Sequence, residues 1–336
     1  MAEEKNRGRL FRCVSSLWAA FTWLVILIVS AWAFGALWFD FPRTGEQPWA
    51  AWAFAGVVLL LSIFVRPRWR AKLIIAIVVL VILGWWLSQQ PRQYRDWKPE
   101  VALTAHAEIE GNIVTLFNVR NFEYRTETDF TPHYETRRLD LSNLKGMDIF
   151  INTWGSPFMA HPIISYDFGP QGHLCFSIET RPKRGQEYSA LGGLYRQFEL
   201  FYVVADERDV IRLRTNYRKG EDTYLYRLKG PKLRESFLEY ISSINELHAT
   251  PRWYNAITNN CTTAIRQQRP KSERPKSDWR MLVNGYGDEL LYERGSIDNS
   301  MPFAELKRIS HINAKAQAAN DSPDFSQKIR EGLPGE

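Results

Sequence analysis

The chain has 336 residues, room for two domains, and carries 43 Lys and Arg against 37 Asp and Glu. The excess sits in the first 100 residues, with 12 basic and 6 acidic side chains, while residues 101–336 hold 31 of each. The larger part of the chain therefore lacks the basic surface that a phosphate backbone requires, and nucleic acid is excluded as a partner.

Three apolar runs open the chain. Residues 17–39 are charge-free and, at 1.5 Å per residue, long enough to cross ~30 Å of hydrocarbon. Residues 48–65 and 73–88 are shorter but also uncharged and flanked by polar anchors, so three transmembrane helices are expected, the third marginal in length. The first run is longer and richer in Trp than the core of a cleaved signal peptide. Ten of the 13 Trp lie before residue 98, many near span ends, where amphipathic rings favour the headgroup layer. Cys13 precedes the apolar run, which fits a cytosolic free thiol and not a lipid acceptor. Lys5, Arg7, Arg9 and Arg12 before the first span, and Arg66, Arg68, Arg70 and Lys72 before the third, outweigh the lone Arg43 between the first two. By the positive-inside rule the N-terminus is cytoplasmic and residue 89 onward lies outside, in a bacterium the periplasm.

Residues 89–103 read as a polar, Pro-bounded stalk of a soluble domain over 104–314. Strand-like runs follow at about 113–125, 136–141, 147–153, 161–168, 173–181, 197–205, 208–215 and 222–229, separated by turn residues. Residues 232–248 predict a helix that places Leu233, Phe237, Tyr240, Ile241 and Ile244 on one face. A second helix is expected over 261–268, after Asn259 and Asn260, which are good N-cap residues. The polar tail, 315–336, is expected to be disordered. The fold class is α+β, sheet first and helices after.

Cys261 is the candidate nucleophile. With Asn260 as N-cap it occupies the first helical position, where unpaired backbone N–H groups and the helix dipole favour thiolate over a free thiol of pKa ~8.5. The same N–H groups can hold an oxyanion. The competing reading is a buried structural cysteine.

His161 starts a strand that Gly-Pro-Gln-Gly (169–172) turns into a hairpin with 173–181. Pairing about a centre between Pro170 and Gln171 puts His161 opposite Thr180, give or take one residue, and His173 opposite Phe168, so His173 is not expected to assist His161. Period-two alternation puts Cys175, Ser177, Glu179 and Arg181 on one, polar, face and Leu174, Phe176 and Ile178 on the core face. Glu179 is then the candidate to orient the His161 imidazole, with Arg181 and Ser177 near it; the alternative is a solvated Glu179–Arg181 pair.

Asp206, Glu207, Arg208 and Asp209 read as a solvated turn, and Arg212 and Arg214 as an exposed face of the strand after it, with an anionic headgroup as their alternative partner. The histidines lack metal spacing, and no CxxC, HExxH, P-loop or GxSxG is present, so no metal or cofactor is expected. A Cys175–Cys261 disulfide would suit an oxidising compartment but would silence the nucleophile.

At His-Pro-Ile-Ile-Ser-Tyr-Asp-Phe (161–168), Ser-Ile-Glu-Thr-Arg (177–181), Ala-Asp-Glu-Arg-Asp-Val-Ile (205–211) and Trp-Tyr-Asn-Ala-Ile-Thr-Asn-Asn-Cys-Thr-Thr (253–263), the chain resembles the Lnb-type periplasmic domain family over roughly 105–290. The resemblance implies a circularly permuted papain-type fold, as in the lecithin:retinol acyltransferases, in which the His strand precedes the Cys helix. It also implies thiol acyl chemistry, with an acyl group moved from phospholipid to the amine of a lipoprotein. Two departures stand out: the spans here precede the domain, and Glu179 or Thr180 takes the place of a third polar residue that is His elsewhere.

The resulting expectation is a periplasm-facing cysteine acyltransferase. Cys261, His161 and Glu179 would be catalytic, with Asn259, Asn260, Tyr254, Arg181 and Ser177 in support. Membrane lipid and a lipoprotein or peptide would be its partners. The alternatives are a cysteine hydrolase of peptide or peptidoglycan amides, with the same site but a polar groove, and a membrane-tethered binding or scaffold domain.

Overall fold

A computed structural model describes residues 2–41, 48–230, 232–258, 265, 278–281 and 284–335, leaving aside the side chains of 2–10 and 12. The chain forms two compact units, one of residues 1–91 with 189–197 and one of 92–188 with 198–336.

The first unit contains α1 (Ala2–Phe39), α2 (Trp49–Phe64) and α3 (Arg68–Ser88). Among the described residues two stretches are long and apolar enough to cross a membrane, Cys13–Phe39 and Arg68–Ser88. The expectation of three full spans is corrected here, and so is the choice of the short one. Arg68 to Lys72 join the third helix and lengthen it to 21 residues. The middle helix has 16, about 24 Å at 1.5 Å per residue. Small residues let the helices approach closely: Ala33, Ala36, Ala50, Ala51 and Ala71 are buried along with Ile75 and Val79. The segment 189–197 belongs to this unit. Tyr195 stacks on Phe39 at 5.2 Å. Arg196 Nη1 donates to the carbonyls of Trp86, Leu87 and Gln89 at 2.6, 3.1 and 2.6 Å, capping the end of α3. Asp40 Oδ2 accepts from Trp86 Nε1 (2.7 Å) and from the Arg196 N–H (3.0 Å).

The second unit is built on a sheet. Its strands are β1 (His106–Glu110), β2 (Ile113–Arg120), β5 (Tyr134–Asp140), β6 (Gly146–Trp154), β7 (Ala160–Asp167), β8 (His173–Arg181), β9 (Glu199–Ala205) and β10 (Glu221–Arg227). β3 (Glu123–Tyr124) and β4 (Phe130–Thr131) make a separate two-stranded ribbon. The order is β1-β2-β9-β8-β7-β6-β10, with β5 also on β2. Every pairing is antiparallel except the single parallel contact Arg120↔Ala205 between β2 and β9.

Both faces of this sheet are covered. One core gathers Ile149, Ile151, Ile164, Tyr166, Leu174, Phe176 and Ile178 under α5 (Leu233–Ala249), whose Phe237, Tyr240, Ile241 and Ile244 point inward as the helical spacing predicts. The opposite core gathers Phe150, Ile163, Cys175, Phe201, Val203 and Leu225 under α4 (Glu207–Arg212). The helices that follow are α6 (Gly287–Glu293), α7 (Phe303–Ser310), α8 (Asn313–Ala318) and α9 (Phe325–Lys328). α8 and α9, with the residue just after α9, give Ala316, Phe325 and Ile329 to that second core.

Three expectations fall here. Residues 208–215 are helical and not a strand, because Asp206 caps the Arg208 N–H at 2.8 Å and starts α4. The Asp206–Asp209 stretch is not a solvated turn: Glu207 and Asp209 are wholly buried. Asp209 takes a two-oxygen contact from Arg120, at 2.7 and 3.0 Å. Arg330 Nη2 lies 2.6 Å from Glu207 Oε1 and 2.8 Å from Asp148 Oδ2. The third concerns 315–335, which is packed and not disordered. Its apolar residues are few but several are spent in the second core, and Arg330 bridges two carboxylates there. A low density of apolar residues shows in composition; where they are spent does not.

Candidate active site

The β7–β8 hairpin positions the site. Its register runs from Asp167↔His173 to Ile163↔Ser177, and carried two residues further it sets His161 opposite Glu179. This is within one residue of the sequence-based alignment, and His173 likewise falls one residue off, opposite Asp167. His161 and Glu179 share the sheet face toward α4, together with Ser177. His161 Nε2 lies 2.7 Å from Ser177 Oγ and 3.1 Å from Glu179 Oε1, and Ser177 Oγ donates to the same Oε1 at 2.7 Å. His161 and Ser177 are buried, while Glu179 keeps 27% of its side chain exposed.

Behind Glu179 stands Arg214, which the sequence placed on an exposed strand. It lies on a π-helical turn, Leu213–Tyr217, that continues α4, and only 5% of it is exposed. Its Nη2 donates to Glu179 Oε1 at 3.0 Å. Arg212, expected exposed as well, is 1% exposed and paired with Glu123 at 2.8 Å. Burial works to raise the Glu179 carboxyl, but the His161 imidazole, Arg214 and Ser177 outweigh it and hold the group well below the usual carboxylate range.

Asn152 of β6 was not anticipated. It pairs with His161, donates from Nδ2 to the His161 carbonyl at 3.0 Å, and accepts from Thr223 Oγ1 at 2.8 Å. An Asn in the apolar run Met-Asp-Ile-Phe-Ile-Asn is the signal that could have marked it, since a buried amide must be hydrogen-bonded. Asn284 Oδ1 accepts from the Ala160 N–H, one residue from His161, at 2.9 Å.

Arg181 does not join this group. It is buried against the segment after the apolar helices, donating to the carbonyls of Val101 (2.9 Å) and Ala102 (2.8 Å) and to Gln93 Oε1 (2.9 Å), with its guanidinium 4.3 Å over Trp97. Burial lowers it to about 10, against the pull of Glu199. The solvated Glu179–Arg181 pair is therefore not formed. Tyr254 lies in the α5-side core, and its backbone N–H donates to the Phe198 carbonyl at 3.0 Å.

Cys261, Asn259 and Asn260 lie outside the described residues. On their N-terminal side, Asn255 Oδ1 accepts from the backbone N–H groups of Ile257 (3.0 Å) and Thr258 (2.9 Å). Beyond them, Ile265 packs against the α5-side core. Cys175 is a free, buried thiol in the opposite core, raised by burial. Among the described residues no three His, Cys, Asp or Glu side chains converge as a metal site.

The loop before His161 is apolar and exposed. Phe158 and Met159 are 54% and 49% exposed, and Trp154 and Trp279 are also open. Tyr286 joins Phe158 and Trp279, with ring centroids 5.9 and 5.8 Å away. Beside this loop is a cleft of about 280 Å³ lined by Trp154, Ser156, Asp222, Tyr286 and Lys307.

Residues 130–285 match the family described as the Lnb N-terminal periplasmic domain. That segment holds His161, Ser177, Glu179 and Arg214 as well as Cys261. No curated protein and no solved structure gives a match to the chain.

Proposed function

Starting from a chain whose residues 130–285 match the Lnb N-terminal periplasmic domain family, we propose a membrane-anchored, periplasm-facing cysteine acyltransferase. Two long apolar helices and the distribution of Lys and Arg support the anchor and the orientation.

The observation that carries the reading is the seat of His161. Ser177 and Glu179 engage Nε2 and orient the ring; in the proposed mechanism Nδ1 serves Cys261. An imidazole held in this way supports the base and orienter roles of thiol catalysis, with Cys261 as the proposed nucleophile. His161 is the second residue of β7, at an end of the sheet. The chain order, His161 before Cys261, fits a permuted papain-type arrangement.

In the reaction, His161 takes the Cys261 proton and the thiolate attacks the ester carbonyl of a phospholipid. The oxyanion collapses, the lysophospholipid alcohol leaves with the proton from His161, and an acyl thioester remains. An amine, such as a lipoprotein N-terminus, attacks the thioester and regenerates the thiol. The exposed Trp154, Phe158, Met159 and Trp279 support an apolar acyl donor over a glycan.

The test is a lipid-to-amine transfer assay on the full chain, with the acyl-enzyme trapped and weighed. The wild type should gain the mass of one acyl group and Cys261→Ala should not. Full transfer by Cys261→Ala would end the proposal. Release of free fatty acid in place of amide would make the protein a hydrolase, and an inert Cys261 would leave a binding domain.

A further inference from the structure

Glu179 Oε1 is a shared atom. It accepts from Ser177 Oγ at 2.7 Å and from Arg214 Nη2 at 3.0 Å, and faces His161 Nε2 at 3.1 Å. The carboxylate charge that steadies the imidazole is thus divided between the ring and a buried guanidinium. Arg214 is itself divided: its Nη1 donates to Glu221 Oε2 at 3.2 Å. Glu221 Oε1 then accepts from Arg218 Nη1 at 3.3 Å, and Arg218 Nε lies 3.4 Å from Glu127 Oε1. Charges of alternating sign therefore run from His161 outward to the ribbon loop that bears Glu127.

The backbone of this array is irregular where Arg214 sits. The π turn Leu213–Tyr217 closes on an Arg218 N–H donating to the Leu213 carbonyl at 2.9 Å. Such turns insert a residue into a helix and re-aim the side chains around it, and they are frequent at functional sites. Here the turn directs Arg214 between two carboxylates from different strands, Glu179 at the end of β8 and Glu221 at the start of β10. Around His161, the described elements contribute Glu179 from β8, Arg214 from the turn and Arg218 just after it, Glu221 from β10, and the neutral Asn152 from β6 and Thr223 from β10.

We infer that Arg214 is a positioning residue for His161: it fixes Glu179 Oε1 toward Nε2 and, by sharing that oxygen, limits how strongly Glu179 raises the basicity of the imidazole. This rests on the thiol–imidazole reading above. Arg214 touches no reacting atom. Removing its charge leaves the whole of Glu179 to His161, so the imidazole holds its proton to higher pH, and the thiolate that the imidazolium supports forms at lower pH.

The experiment measures alkylation of Cys261 by iodoacetamide against pH, on the full chain in detergent, read on the Cys261 peptide by mass spectrometry. The wild type should reach half-maximal rate below the free-thiol range. Arg214→Gln should move that midpoint down by on the order of one pH unit, and Arg214→Lys should restore it most of the way. Glu221→Gln returns more of the Arg214 charge to Glu179 and should move the midpoint up. An unmoved midpoint in Arg214→Gln overturns the inference while the thiol reading stands. If Arg214→Gln fails to fold, Glu221→Gln decides: an upward shift supports the role and no shift overturns it. A wild-type Cys261 that titrates as a free thiol removes the catalytic reading, and the role of Arg214 with it.

Discussion

Arg330 puts Nη2 2.6 Å and Nη1 2.8 Å from the two carboxylate oxygens of Glu207, in a core where Glu207 is fully buried and Arg330 5% exposed. Asp148 of β6 takes the Nη2 and Nε of the same guanidinium at 2.8 and 3.1 Å. The final helices are thereby fastened to the sheet face that also carries His161.

Breaking one side of a buried charge cluster strands the other. Arg330→Ala should cost about 3–5 kcal/mol, because Glu207 and Asp148 would remain buried with their principal counter-charge gone. Lys328→Ala, two residues earlier and exposed, should stay within about 0.5 kcal/mol. Thermal or denaturant unfolding of the full chain in detergent measures both; equal effects would mean that the cluster does not hold the C-terminal segment.

The same pair makes stability depend on pH. Burial works to raise Glu207, but Arg330, His173 and Ser165 outweigh it and hold the carboxyl far below 4.5; Glu179 is depressed in the same sense. A carboxyl whose folded value lies below its unfolded one stabilises the fold fully above the unfolded value. That contribution is lost as pH falls through the folded value. Melting temperature should therefore hold down to about pH 5 and fall below it. Glu207→Gln should flatten this decline. An unchanged slope in that variant would show that other groups carry the acid sensitivity.

Gly285 leaves no room for a side chain. A Cβ there would lie 2.1 Å from the Pro157 carbonyl oxygen and 2.7 Å from the Phe158 carbonyl carbon, both backbone. Gly285→Ala must push the loop before His161 away from Asn284, and should destabilise by about 1–3 kcal/mol with reduced transfer. Gly287, next but one in the chain, has open space around its Cβ position, and Gly287→Ala is the control expected to be silent.

Within the proposed site, His161→Ala should lower transfer by ~10²–10⁴. Ser177→Ala removes one hydrogen bond to the imidazole and one to Glu179, and should cost roughly tenfold, a loss of about 1.4 kcal/mol. Steady-state rates with Cys261→Ala as the floor separate these effects. A Ser177→Ala enzyme as weak as His161→Ala would make the serine a participant and not a support.

Orientation is tested on Cys13, which is exposed in the first unit. A membrane-impermeant maleimide should label it only after the inner membrane of spheroplasts is opened. Labelling of intact spheroplasts would reverse the orientation inferred from Lys and Arg.

Much of the layout was legible in the sequence because it depends on neighbours along the chain. Alternation and a Gly-Pro-Gln-Gly turn set the β7–β8 hairpin, and with it the approach of His161 to Glu179, to within one residue. Helical spacing in 232–248 marked the inward face of α5. Charge-free runs marked the apolar helices, although the number of long ones changed once Arg68 to Lys72 joined α3.

What the sequence could not decide was which surfaces the rest of the chain would cover. Ser177, Glu179, Arg212 and Arg214 are polar, and local pattern alone reads polar residues as facing water. The tertiary structure places α4 and the C-terminal helices over that sheet face, from up to 182 residues away in the case of Arg330 and Asp148. Once water is removed, each charge must find a counter-charge. Glu207 and Asp148 met Arg330, Asp209 met Arg120, and Glu179 met Arg214. Such pairings join residues distant in sequence, and no periodicity encodes them.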